Sequence, residues 1–247
     1  MLKSFTKITS GLALAATLAS TAAWAEEPGV MNGDPVNGKK IFTEGKGAAP
    51  ACMTCHGATG WGTEAMGAPR LNGIGFPYIV KQLTDLAEGR RTPSGPGAVM
   101  PLFAQQLSPQ DRRDVATYVN SEEFISQPAE LSDMSAIKAA GDPPVGVRYK
   151  GEVLVKYGSA AAACQSCHGF NGRGAAPVFP VIGQQKYTYL VNQLHNWRDG
   201  SRANDPYGMM RAIAQKLSDQ DILDAATYLA TAPRTTEGDG YVPVTNR

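Results

Sequence analysis

Cys52-Met53-Thr54-Cys55-His56 and Cys164-Gln165-Ser166-Cys167-His168 decide how the rest of the chain is read. Both spell C-x-x-C-H, and together they use all four cysteines of the 247 residues. A thioredoxin-like redox pair wants a βαβ context, and neither motif follows a β-branched strand pattern. A shared zinc wants its two C-x-x-C arms within one small knuckle, about 15–20 residues apart. Here the arms are 112 positions apart. A disulfide across a two-residue spacer closes a very short loop and makes a poor staple. The remaining chemistry is covalent haem attachment. Each cysteine adds to one vinyl group of the same haem, and the next residue, histidine, lies under the iron as an axial ligand.

Working outward, the surroundings of the motifs repeat. Tyr78-Ile79-Val80-Lys81-Gln82-Leu83 is echoed by Tyr189-Leu190-Val191-Asn192-Gln193-Leu194 at an offset of 111. Gln106-Leu107-Ser108-Pro109-Gln110-Asp111 is echoed by Lys216-Leu217-Ser218-Asp219-Gln220-Asp221 at 110, and Ala116-Thr117-Tyr118-Val119 matches Ala226-Thr227-Tyr228-Leu229 at 110. A fixed period over the whole chain indicates two copies of one structural unit. The expected division is a leader over 1–25, a first domain over 26–126, a linker over 127–145, a second domain over 146–232 and a tail over 233–247.

Each copy reads as helices joined by irregular loops. Gly33 to Glu44 and Val147 to Tyr157 are helical candidates ahead of the two motifs. Phe76 to Arg90 has apolar Ile79, Leu83 and Leu86 at helical spacing, and its counterpart runs from Lys186 to Asp199. Ser108 and Ser218 are candidate N-caps, with Asp111 and Asp221 three residues on and Pro109 at the favoured first position. Those last helices should end near Asn120 and Thr231. The Pro/Ala/Ser/Asp-rich linker, with Pro143-Pro144 near its end, carries a short candidate helix at Ser135 to Ala140. No stretch shows sustained strand alternation, so the expected fold is all-α.

Lys3, Lys7, the apolar and small-residue run from Ile8 to Thr21, and Ala23-Trp24-Ala25 have the form of a secretory signal with cleavage before Glu26. The run is too short and too interrupted for a membrane anchor, and an exported, periplasmic product follows. The formal net charge of +1 falls to −1 once that leader is removed. Such balance gives no argument for nucleic acid or an anionic membrane surface as partner, and neither is expected. Residues 26–130 carry 9 basic and 12 acidic side chains, and residues 131–247 carry 12 and 10.

Each iron needs a second axial ligand, and the repeat selects among eight methionines. Met100 lies seven residues before Leu107, and Met210 lies seven before Leu217. Equally built pockets require such equivalence, and methionine suits electron transfer by raising the potential. Met209 is the rival in the second copy. Met66 has no partner there, and core packing is the plainer reading of both. His195 matches Thr84 and lies on a helix, where a surface or packing role suits it. Pro69 and Pro180 hold equivalent places, and each leaves a carbonyl free to orient the ligating histidine through its other ring nitrogen.

These features resemble a known family. The C-x-x-C-H, the Pro-x-Leu loop, and a methionine ahead of a Leu-Ser-x-x-Asp helix resemble a class I cytochrome c domain. The tandem arrangement, with Arg202-Ala203-Asn204-Asp205-Pro206-Tyr207-Gly208-Met209-Met210-Arg211, resembles the dihaem cytochrome c4 family over roughly residues 33–232. Arg91-Thr92-Pro93-Ser94-Gly95-Pro96 departs from it by lacking Asn-Asp-Pro. The resemblance implies two small helical bundles, each wrapped around one covalently attached haem c. Outer-sphere electron transfer between protein redox partners follows: a donor dehydrogenase or quinol-oxidising complex, and an acceptor oxidase or reductase. Two rival expectations are a cytochrome subunit of a flavoprotein or quinoprotein dehydrogenase, and a dihaem enzyme of the peroxidase or thiosulfate-oxidising type. No catalytic residue is assigned.

Overall fold

A computed structural model describes residues 32–141 and 143–233; the leader and the tail beyond Pro233 lie outside the described residues. The first half contains α1 (Pro35–Glu44), α2 (Met53–His56), α3 (Phe76–Ala87), α4 (Met100–Ala104), α5 (Pro109–Val119) and α6 (Glu122–Ile125). A linker helix α7 (Met134–Ala140) leads into α8 (Arg148–Tyr157), α9 (Gln165–His168), α10 (Tyr187–Asp199), α11 (Met209–Ala214) and α12 (Asp219–Ala230). Among the described residues, β structure is limited to three isolated bridges. The all-α expectation therefore holds.

Local chemistry explains the helix ends. Ser108 and Ser218 each form a reciprocal capping box with Asp111 and Asp221, satisfying N–H groups that an uncapped first turn leaves open. Asp34 caps α1 with Pro35 in the first turn, and Asp133 caps α7. The helix expected to reach Arg90 ends at Ala87 instead. Glu88 leaves helical geometry, Gly89 turns left-handed at φ 74°, and Asp85 O accepts from Arg91 N at 3.0 Å.

Each half is built on one crossing of its first and last long helices, α1 on α5 and α8 on α12. Both crossings need a glycine. A Cβ on Gly38 would stand 2.0 Å from Asp114 O, and one on Gly151 would stand 1.9 Å from Asp224 O. The first core gathers Ile41, Phe42, Ile79, Val115 and Val119, with Phe42, Tyr118 and Phe124 as an aromatic triad at 4.8–5.6 Å between ring centres. The second gathers Leu154, Val155, Tyr187, Leu190, Ile222 and Leu229.

The halves are joined by buried polar contacts. Glu64 reaches across to the open N-terminus of α10, where Oε1 accepts from Tyr187 N at 2.8 Å and Oε2 from Thr188 N at 2.9 Å. Ser132 of the linker donates to the same carboxylate. Arg70 N donates to Gln185 Oε1 at 2.7 Å, Gln185 Nε2 returns a bond to Arg70 O at 3.1 Å, and the Arg70 guanidinium donates to Gly183 O at 2.8 Å. Lys186 Nζ donates to Glu130 O at 3.0 Å, which ties the linker down as well.

Candidate haem sites

Each C-x-x-C-H motif forms one helical turn. His56 N donates to Cys52 O at 3.0 Å, and His168 N to Cys164 O at 2.9 Å. A turn places cysteines at i and i+3 side by side, as attachment to two vinyl groups of one ring requires. Gly57 and Gly169, at φ 76° and 71°, then turn the chain away. The following loop folds back under the histidine, with Gly62 N donating to His56 O at 2.8 Å and Gly174 N to His168 O at 2.6 Å.

That loop delivers Pro69 or Pro180. His56 Nδ1 lies 2.9 Å from Pro69 O, and His168 Nδ1 lies 2.9 Å from Pro180 O. A carbonyl only accepts, so Nδ1 holds the proton and Nε2 is left for a metal. The imidazoles are only 6 % and 7 % exposed. Burial pushes both below the usual histidine range, with the proline bond working against it. Neutral imidazole, the ligating form, is thereby favoured. Burial also pushes the Cys52 and Cys164 thiols up to about 11, unlike a thiolate metal site. Among the described residues, no group of three His, Cys, Asp or Glu side chains is placed to hold a metal ion.

Of the expected distal ligands, Met100 opens α4 and Met210 lies in the first turn of α11. Each stands four residues before a buried alanine, Ala104 or Ala214. Met66 and Met209 are 43 % and 36 % exposed, so neither fills a core as the packing reading expected. His195 accepts at Nδ1 from Arg198 on α10 at 3.0 Å, a local helix contact. The Asn-Asp-Pro departure has a structural reason. Asp205 accepts from Arg211 N and Nε at 3.0 and 2.9 Å, while Asn204 reaches across to Gln82 and Asp85 of the first half. One such bridge serves both halves.

Sequence reading did not single out a polar lattice at the junction of the halves. Arg91 donates to Gln82, Tyr189 and Gln193, and Arg202 donates to Gln193, Tyr78, Gln82 and Asn204. All of these acceptors are neutral, and Arg202 is buried. The lattice thus gathers two arginines beside a cleft that both line. Equivalent positions 91 and 202 in the repeat were the available signal.

A cytochrome c family model matches residues 35–123 and again 155–233. A cytochrome c4 from Pseudomonas aeruginosa is 35 % identical over 75 % of this chain and 85 % of its own length. The chain belongs to the dihaem cytochrome c4 family. A thiosulfate dehydrogenase electron acceptor from Stutzerimonas stutzeri is 35 % identical over 84 % of this cytochrome and 92 % of that protein. The structure of reduced cytochrome c4 from Pseudomonas stutzeri superposes with a TM-score of 0.58 at 31 % identity, covering 80 % of this chain and 98 % of that one. A thiosulfate dehydrogenase (TsdBA) from Marichromatium purpuratum gives 0.67 at 31 % identity, and the match spans 81 % of this chain but only 40 % of that longer one. Membership implies covalently bound haem c, and two haems fit the two tandem units. The donor set fits in both halves: paired cysteines on one turn, and a buried imidazole oriented by a proline carbonyl.

Proposed function

We propose that this cytochrome is a periplasmic electron carrier with two His/Met-ligated haems, and that its donor is a thiosulfate-oxidising dehydrogenase. Cys52 and Cys55 would hold the first haem and Cys164 and Cys167 the second. His56 with Met100, and His168 with Met210, would supply the axial ligands. The two redox units would occupy residues 26–126 and 146–232. The observation that carries the reading is the duplicated geometry. The same 2.9 Å histidine–proline bond recurs in both halves, with a methionine at the equivalent distal position. The lower exposure of Met210 supports it over Met209 as ligand.

The bound haem supplies a one-electron ferric/ferrous couple, tuned upward by a methionine ligand. The protein's part is orientation and exclusion of water. Pro69 and Pro180 fix the imidazoles. The capped last helices position the distal segments, and the arginine lattice keeps the two units at one distance. No proton moves and no substrate needs the metal, so electrons pass between partners. The donor assignment rests on two relatives whose names describe acceptors for thiosulfate dehydrogenase. Those names favour a carrier beside an enzyme over an enzyme in its own right.

Ferric protein should show a far-red sulfur-to-iron charge-transfer band. Met100→Ala and Met210→Ala should each remove about half of it; an unchanged band in either variant would refute that ligand. Reduction by thiosulfate plus a thiosulfate dehydrogenase, and not by thiosulfate alone, tests the donor. Export is checked by sequencing the N-terminus of the periplasmic protein, expected at Glu26.

A further inference from the structure

The faces that the two halves present around their methionine segments differ in chemistry. In the first half, residues 47–63 and 92–110 contain no Asp, Glu, Lys or Arg. The charges that bound these segments are engaged elsewhere. Lys46 pairs with Asp111 at 2.6 Å, Glu64 caps α10, and Arg91 is turned into the lattice. The two segments meet in space, since Ala48 N lies 3.5 Å from Gln106 Oε1. Their outer surface includes Val99, 44 % exposed, and Leu102, 61 % exposed. On α4, Leu102 lies about 200° around the helix from Met100. It therefore faces outward when Met100 faces the iron. In the second half, the corresponding stretch, residues 203–220, carries Asp205 and Arg211, which pair at 2.9 Å, and Lys216 and Asp219, and Ala212 stands where Leu102 does.

We propose that the first half receives its electron donor on this charge-free face, through an apolar contact centred on Val99 and Leu102 with an uncharged surface of the dehydrogenase. The inference rests on the donor reading above. A charge brought onto this face by a partner would lose hydration and find no counter-charge, so the surface selects an uncharged one. The second half also exposes apolar groups beside its methionine, Tyr207 and Met209, so what distinguishes the first face is that Val99 and Leu102 stand in a surface without charges. Transient redox encounters are commonly steered by complementary charge, which this face does not offer. A donor held close needs no such steering. In the Marichromatium chain the region similar to this cytochrome is part of a longer thiosulfate dehydrogenase polypeptide.

The test is stopped-flow reduction of the haem-loaded, full-length cytochrome by thiosulfate dehydrogenase supplied with thiosulfate. Between low and high ionic strength the wild-type rate should change by less than about twofold, because exposed charge pairs would be screened over that range. Leu102→Lys and Leu102→Glu should both slow reduction, by about tenfold, as loss of a central contact does. Leu102→Ser, which adds no charge, should give a smaller loss of the same sign. The far-red band and melting temperature should be unchanged in all three. Opposite effects of lysine and glutamate, or a wild-type rate that falls steeply with salt, would overturn the proposal in favour of charge steering. Wild-type rates in all Leu102 variants would overturn it while leaving the donor reading intact. No reduction of the wild type would remove both. A wild-type dimer in sizing that the variants split would assign the face to a second copy and overturn it as well.

Discussion

His56 and His168 sit in the same hydrogen bond at the same 2.9 Å, while the loops that lead into Met100 and Met210, residues 92–99 and 203–209, share little. On the proximal side, the helical turn, the glycine after the histidine and the histidine–proline bond are each formed within one half and recur in the other. On the distal side, the second half uses Asn204 to reach into the first, and the first half leaves an uncharged surface outside. What the haem demands is built twice. What faces the other half, or a partner, is built once. Substitutions should therefore fall into two groups, those with matched effects in both halves and those with no counterpart.

The largest matched effects belong to the helix crossings. Gly38→Ala and Gly151→Ala each insert a methyl group at about 2 Å from a backbone carbonyl, and backbone cannot swing aside as a side chain can. Each substitution should cost about 3 kcal/mol or more, measured as the shift in the denaturant midpoint of the haem-loaded protein. Similar losses would support equivalent construction. A loss in one half alone would mean that the other crossing can open, breaking the symmetry where the structure shows it most closely.

Glu64 has no counterpart, because the N-terminus of α3 receives no carboxylate from the second half, where Ala176 stands at the repeat position. Its carboxylate satisfies two N–H groups of α10 and favours the positive end of that helix. Glu64→Ala should cost about 2 kcal/mol, and Glu64→Gln roughly half of that, since the amide keeps one acceptor oxygen. The same variants should loosen the junction, seen as faster hydrogen exchange at Tyr187 and Thr188 with the far-red band unchanged. Normal protection at those two amides would show that the linker alone holds the halves together.

The matched group was legible in the sequence, and the unmatched group largely was not. The attachment turns, the capping boxes at Ser108 and Ser218 and the equivalence of Met100 and Met210 are local patterns that a repeat displays twice, and the linker helix α7, which occurs once, was legible from local composition. Pro69 and Pro180 were found for the same reason. Glu64, Gln185 and the cross-lattice of Arg91 and Arg202 join residues about 100 positions or more apart, and no periodicity marks a polar side chain for a distant acceptor. Arg70 aligns with Val181, so the repeat itself points away from a shared role. Gly38 and Gly151 recur at equivalent places, yet glycine inside a helix looks like a weakness until the crossing helix is seen.

The smallest difference lies inside a matched element. Asp111 and Asp221 close the same capping box, but Lys46 also donates to Asp111 at 2.6 Å, and Ser159 stands at the corresponding place in the second half. Burial alone would raise the Asp111 carboxyl; the bonds from Lys46 and Ser108 outweigh it and hold the group down to about 2. A carboxyl depressed in the folded state adds stability above its unfolded value of 3.8, and that contribution is lost as pH falls from there toward 2. With Lys46 half exposed and partly screened, the lysine should account for on the order of 1 kcal/mol. Lys46→Met should therefore lower the melting temperature modestly near pH 6, and the gap from wild type should close as acid protonates Asp111. A gap that persists at the lowest pH would assign the loss to the lysine stem packing on the surface. A gap that closes would show that one ion pair gives the first half an acid sensitivity beyond that of the capping box both halves share.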